Sequence, residues 1–249
     1  MTSTTNSPDR SRVDILGVPV DNVTMDETMA RLEAFVASKR AHFVITADAA
    51  GVVQAQSDES YRQLYFEADL VTPDSAGILW AAKRFGSPIP GRVSGVDLVE
   101  RVCSLSADKG YAIFFLGAAP GVAELAAERM QLKYPGCNIV GTRNGFFPPE
   151  SDDVVAAEIA ALRPDFLFVA MGIPRQEKFI LATRDVVQAK VAMGVGGTFD
   201  VFSGRVRRAP VWMQRLKLEW LWRVLQNPSK LGKVALLPKF VMLVLRAKR

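Results

Sequence analysis

Leu70-Val71-Thr72-Pro73-Asp74-Ser75, followed a helix later by Arg92-Val93-Ser94-Gly95-Val96-Asp97, is the part of the sequence on which the fold reading turns. A short run of β-formers stops at a proline, and an aspartate stands where the chain turns into a helix. In a chain that alternates strand and helix, that position is the carboxyl end of a strand, where open sheets bind ligands. A carboxylate there can accept a proton from a substrate hydroxyl, and Arg92 can meet the charge of a phosphorylated substrate. Aspartate between a proline and an apolar helix is equally a good N-cap. Spacing leaves both roles open for Asp74, and one residue can fill both.

The alternation runs outward from this stretch in both directions. Val13 to Val20 alternates around Gly17 and Pro19 and predicts a small hairpin at the sheet edge. Thr24 reads as an N-cap with Asp26 and Glu27 in the first turn, and Met25, Met29, Leu32 and Val36 follow at helical spacing. Strands are expected over His42–Thr46, Leu70–Thr72, Tyr111–Leu116, Asn138–Thr142, Phe166–Ala170 and Val191–Val195. Helices fall between them, including 75–85, one capped near Ser94, one running to Lys133 and one opened by Ser151-Asp152-Asp153. The predicted fold is α/β and Rossmann-like: a mostly parallel sheet, right-handed crossovers and helices on both faces. From about Pro210 the alternation gives way to two or three helices, separated near Asn227-Pro228 and at Pro238. The expected organisation is a flexible tail over 1–12, an α/β domain over 13–205 and a basic amphipathic helical appendage over 206–249.

A chain of 249 residues, 49% hydrophobic and 23% charged, can bury a sizeable core and lies far from disordered composition. Cys103 and Cys137 are the only cysteines, which implies no disulfide framework and favours a reducing compartment. The polar start of the chain has no apolar signal-peptide core. The longest uncharged run, Gly110–Ala123, is too short and too interrupted to span a bilayer, so the cytosol is the default address. The net charge of +5 hides an asymmetry: residues 205–249 carry 12 Lys/Arg against the single acid Glu219, while the rest carries 19 against 25. That basic end interleaves Trp212, Leu216, Trp220 and Trp222 with Arg208, Arg215, Lys217 and Arg223. It reads as a helix packing on the domain with a solvated basic face, as a nucleic-acid contact, or as an interfacial membrane anchor. No recognised nucleic-acid module is visible, and the anchor on an anionic membrane surface fits best.

The loops Gly117–Gly121 and Gly194–Gly197 follow strands and precede helices, where backbone N–H groups bind phosphate. Neither has the dinucleotide spacing, and tight turns without a ligand suit each loop taken singly. His42, the only histidine, sits inside an apolar strand and reads as a core or edge residue. No Cys/His cluster and no Asp-x-Asp occurs, so a metal is not expected. A nicotinamide-dependent oxidoreductase and a non-enzymatic, membrane-recruited binding module stand as competing readings.

Taken together, Thr46-Ala47-Asp48, Ala68 to Asp74, Arg92 to Asp97, Phe114-Phe115-Leu116-Gly117, Tyr134-Pro135-Gly136, Gly172 to Glu177, Gly194 to Asp200, Arg208-Ala209-Pro210 and Leu218-Glu219-Trp220 resemble the WecG/TagA/CpsF family of bacterial glycosyltransferases (glycosyltransferase family 26). They occur in family order over roughly residues 13–230. The resemblance implies a metal-independent, inverting enzyme without a cofactor. It would move a sugar from a UDP-sugar to a polyprenyl-diphosphate-linked glycan at the cytosolic membrane face, in surface or exopolysaccharide assembly. It puts the base on Asp74 and substrate contacts on Arg92, Gln176 and Glu177, with Thr46, Asp48, Gly117, Gly172, Gly196, Gly197 and Asp200 as further candidates. Arg208, Arg215 and Arg223 would face the diphosphate and the membrane. Homo-oligomerisation is left open. Two departures stand out: Asp48 where the family has asparagine, and Ser75 where it has glycine. The first places a second carboxylate in reach of Asp74, where it would alter sugar contacts.

Overall fold

A computed structural model describes residues 11–210, 212, 213, 222, 226 and 236–247. The chain opens with β1 (Arg12–Ile15) and β2 (Val18–Asp21), an antiparallel hairpin. Leu16 (φ 57°) and Gly17 (φ 81°) make its two-residue turn, both left-handed as the strand twist requires. Arg12 thus belongs to the first strand, not to the tail.

Next come α1 (Met25–Ala37), β3 (His42–Ala47), α2 (Ala49–Ala55), α3 (Glu59–Glu67), β4 (Leu70–Pro73), α4 (Ala76–Arg84) and α5 (Gly95–Lys109). Thr24 caps α1 through a full capping box with Glu27. The second half runs β5 (Ile113–Gly117), α6 (Val122–Lys133), β6 (Ile139–Arg143), α7 (Asp152–Ala161), β7 (Phe166–Ala170), α8 (Arg175–Val187), β8 (Val191–Gly194) and the short α9 (Thr198–Phe202). The last described helix, α10, spans Leu236–Arg246.

Six strands form one parallel sheet in the order β4-β3-β8-β7-β5-β6. Side chains alternate between two cores. Phe43, Ile45, Phe114, Leu116, Leu167 and Val169 face the layer of α2, α3, α4, α7, α8 and α10. Val44, Ile113, Phe115, Phe166, Phe168 and Met193 face α1, α5, α6 and α9. Burial on both sides explains why these strands are continuously apolar. The connections from β5 to β6 and from β7 to β8 leave in opposite directions, so the switch point of the topology, the place where open sheets bind ligands, falls between the carboxyl ends of β5 and β7.

Two local readings differ from expectation. β5 starts at Ile113, because Ala112 N–H turns to the Asp165 carboxylate at 2.8 Å. Pro238 does not divide helices; it lies in the first turn of α10, where its missing N–H would be unpaired anyway. The hairpin stands at the sheet edge as expected, a separate two-stranded sheet latched beside β4. Asp21, fully buried, accepts from Val71 N–H at 2.8 Å and pairs with Arg12 (3.4 Å) and Arg31 (3.3 Å). Replacing Asp21 by Ala would leave that amide unpaired and two arginines without their anion. We expect a loss of about 2–3 kcal/mol, read as a lower denaturant midpoint at unchanged slope.

Candidate active site

Asp74 is positioned by the ladder between β3 and β4. Thr46 pairs with Thr72 and Ala47 with Pro73, and Asp74 N–H continues the pattern by donating to Ala47 O at 2.9 Å. The capping alternative is settled by the next residue: Ser75 Oγ accepts from Ile78 N–H at 3.3 Å and is the N-cap of α4. Asp74 therefore lies before the cap, at the mouth of the strand. Val93 N–H donates to Pro73 O at 2.9 Å, which draws the Arg92–Gly95 segment alongside. A Cβ added to Gly95 would sit 3.4 Å from Thr46 Cγ2 and 3.7 Å from Asp74 Oδ2, so the start of α5 borders both. Thr46 Oγ1 donates to Gly194 O at 3.1 Å and ties β3 to β8 at this level. Thr46, Asp74, Gly95 and the Arg92 segment thus meet, as the sequence suggested.

Gln176 and Glu177 are brought to the same edge but from below. They are 3% and 1% exposed. Gln176 Oε1 accepts from Gly172 N–H and Gly196 N–H, both at 3.1 Å, while its Nε2 donates to Glu177 Oε1 at 2.7 Å. One amide therefore brackets the loops that follow β7 and β8. Gly194 makes room for it, since a Cβ there would fall 2.5 Å from Gln176 Nε2. Gly172 and Gly196 hold left-handed φ of 80° and 54°, with open space where a Cβ would point. Their own N–H groups, and that of Ala118 (to Ala170 O, 2.8 Å), are engaged within the protein and not offered to phosphate. Gly117 (φ 127°) lets β5 and β7 close up, because a Cβ would come within 2.5 Å of the Ala170 backbone.

Asp48 is the N-cap of α2, accepting from Gly51 N–H at 2.7 Å. Behind it, Tyr61 and Tyr65 share a hydroxyl hydrogen bond of 3.1 Å. Burial above all, with added push from the Glu177 and Asp48 carboxylates, holds both phenols above their ordinary range, so they stay neutral donors. His42 is structural: it stacks on Phe35, bonds Ser38 Oγ at 2.7 Å and lies 3.4 Å from Asp69 Oδ1.

The basic segment joins the site through Arg208. Its guanidinium pairs with Asp97 Oδ1 at 2.6 Å, in the first turn of α5. Ser94 caps α5 without a side-chain hydrogen bond, so Asp97 turns outward to the arginine instead of completing a capping box. Ser94, Val96, Val206, Arg207, Arg208 and Ala209 line a concavity at that helix start. Sequence reasoning missed Asp97 as the arginine's anchor, although it lies inside the quoted stretch. Gly197 stands at the N-cap of α9 and Asp200 in its first turn. Arg215 and Arg223 lie outside the described residues. Among the described residues no group of three or more His, Cys, Asp or Glu is placed to hold a metal ion.

The parallel sheet with helices on both faces is a Rossmann-like α/β fold. The narrower class comes from known sequences: the glycosyl transferase WecG/TagA/CpsF family matches residues 13–249, and the chain belongs to it. It is 32% identical over 241 residues to a Staphylococcus aureus protein, covering 96% of this chain and 94% of that one. It is 37% identical over 207 residues to a Bacillus spizizenii protein, covering 83% and 80%. Both relatives are named N-acetylglucosaminyldiphosphoundecaprenol N-acetyl-beta-D-mannosaminyltransferase. Membership selects glycosyl transfer over nicotinamide chemistry and over a purely binding role.

The bracket under the loops yields a direct expectation. Gln176→Leu strips the acceptor from two backbone amides and should destabilise the protein by about 1–3 kcal/mol in chemical denaturation.

Proposed function

We propose that the protein is an inverting glycosyltransferase that moves a sugar from a UDP-sugar to a polyprenyl-diphosphate-linked acceptor in surface-polysaccharide assembly. The observation that carries the reading is Asp74, a carboxylate at a strand mouth with Thr46 and the start of α5 around it and its capping role taken by Ser75. The relatives' name supports a lipid-diphosphate acceptor.

The acceptor hydroxyl enters beside Thr46 and Gly95, and Asp74 takes its proton as the oxygen attacks the anomeric carbon. The new glycosidic bond forms while the bond to the diphosphate breaks, and its electron pair leaves with UDP. Attack opposite the leaving group inverts the centre. A positioned base contributes on the order of 10²- to 10⁴-fold. The donor lies along the carboxyl edge of the sheet, from the switch point between β5 and β7 to β4. That is three and a half strand spacings, about 17 Å, a span an extended nucleoside-diphosphate sugar bridges. Arg92, Arg208 and the N-termini of α5 and α6, neither with a side-chain cap, meet the diphosphate charge, and the mechanism requires no metal.

The membrane role rests on α10. Phe240 and Val244 are buried, whereas Val241, Met242 and Leu245 (54% exposed) face outward, with Trp80 nearby at 6.5 Å from Phe240. Lys239 and Arg246 flank this strip. Among the described residues no helix is long and apolar enough to cross a membrane. We read α10 as lying at the interface of an anionic leaflet, held by apolar burial and by about 1 kcal/mol per engaged cation.

Asp74→Asn should lower kcat by about 10²-fold or more with little change in KM. The assay uses a prenyl-diphosphate sugar in EDTA-containing buffer, where the unaltered protein turns over; near-normal kcat in the variant removes the base assignment. Val241→Glu combined with Leu245→Glu should weaken sedimentation with anionic vesicles by about tenfold or more, without lowering transfer to a water-soluble acceptor.

A further inference from the structure

Cys103, on α5, and Cys137, in the turn before β6, are both free and buried. Each thiol is the largest influence on the other's proton affinity. Contacts on either side of Cys137 fix this meeting. Asn138 N–H donates to Ser106 Oγ at 3.0 Å, and Gly136 packs so closely that a Cβ would lie 3.4 Å from Ala107 O. Ser106 and Ala107 follow Cys103 by three and four residues, so all three share one face of α5. The turn is tied down by Cys137 N–H to Tyr134 O at 2.9 Å, and the helix end by Ser106 Oγ to Tyr111 O at 2.6 Å. Glycosyl transfer uses neither sulfur: Cys103 lies eight residues, about 12 Å, along α5 from Gly95.

We propose that Cys103 and Cys137 form a reversible dithiol–disulfide site that reacts with small hydroperoxides. The two sulfurs are unequal in the required way. The Cys103 thiol, then the Ser106 hydroxyl, holds Cys137 below the usual thiol range, while the Cys137 thiol and burial push Cys103 up. The Cys137 thiolate attacks a peroxide oxygen, the O–O bond breaks, and the departing alkoxide or hydroxide takes a proton, leaving a sulfenic acid on Cys137. Cys103 then attacks that sulfur, and its proton leaves with the displaced hydroxyl as water. In sum two thiols and one hydroperoxide give a disulfide, one water and one alcohol, or a second water from hydrogen peroxide. The thiols lose two electrons and the O–O bond gains them. At 4% exposure Cys137 admits only small oxidants, and Cys103, one helical turn from the Ser106 and Ala107 contacts, captures the sulfenic acid before further oxidation. The product ties α5 to the lead-in of β6 and constrains the unfolded chain.

The test treats the full chain with one equivalent of hydrogen peroxide, then alkylates under denaturing conditions and maps peptides without reductant. The expected result is a Cys103–Cys137 cross-linked peptide, a fall from two alkylatable thiols to none, recovery with dithiothreitol and a higher Tm for the oxidised form. Cys103→Ala should instead accumulate a dimedone-trappable sulfenic acid at Cys137, and Cys137→Ala should leave Cys103 alkylatable. The mapping of the unaltered chain decides the matter even if a variant does not fold. Two thiols still alkylated, Cys137 found only as sulfinic or sulfonic acid, or disulfides only between chains would each overturn the proposal.

Discussion

The hydrogen bond from Asp74 N to Ala47 O, one step beyond the last residue pair of β3 and β4, governs the geometry of the active edge. It fixes the peptide plane before the carboxylate and therefore the direction of its Cα–Cβ bond. Had the strand ended a residue earlier, Asp74 would have turned its oxygens back onto the α4 amides. Ser75 performs that task instead, and Val93 closes the other side by bonding Pro73 O. Three neighbouring backbone and hydroxyl contacts thus separate the proposed catalytic position from a structural one.

Across the sheet the edge is held by side chains where the ladder stops. Gln176 gathers two glycine amides, Thr46 reaches Gly194 O, and Asp97 anchors Arg208. Gln176 is the buried one of these, where hydrogen bonds are stronger and a lost partner costs more than at the surface. The glycines are part of the same device: Gly194 and Gly117 permit approaches that any side chain would block.

Much of the fold was legible in the sequence because its signals are local. Apolar strands, the Thr24 capping box and βα alternation lie within a few residues of one another, and strand limits came out to within two positions. The site was legible as a set of positions, not as a set of roles. Gln176 and Glu177, matched to a Gln-Glu pair by resemblance alone, were expected as substrate contacts; their burial depends on β8, which arrives later in the chain. Asp48 read as a second carboxylate near the base, yet its oxygen caps α2. Asp21 and Val71, or Asp97 and Arg208, are too distant in sequence for spacing to pair them.

The strand that delivers Asp74 is also the rim of the sheet. Such a rim ordinarily offers outward amides and carbonyls to any passing extended chain, and capture there would pull the carboxylate out of line. Here the outward Val71 amide is occupied by the Asp21 carboxylate and the outward Pro73 carbonyl by the Val93 amide. The small hairpin and the crossing before α5 are therefore guards against strand addition, and they deny the edge beside Asp74 to other polypeptides.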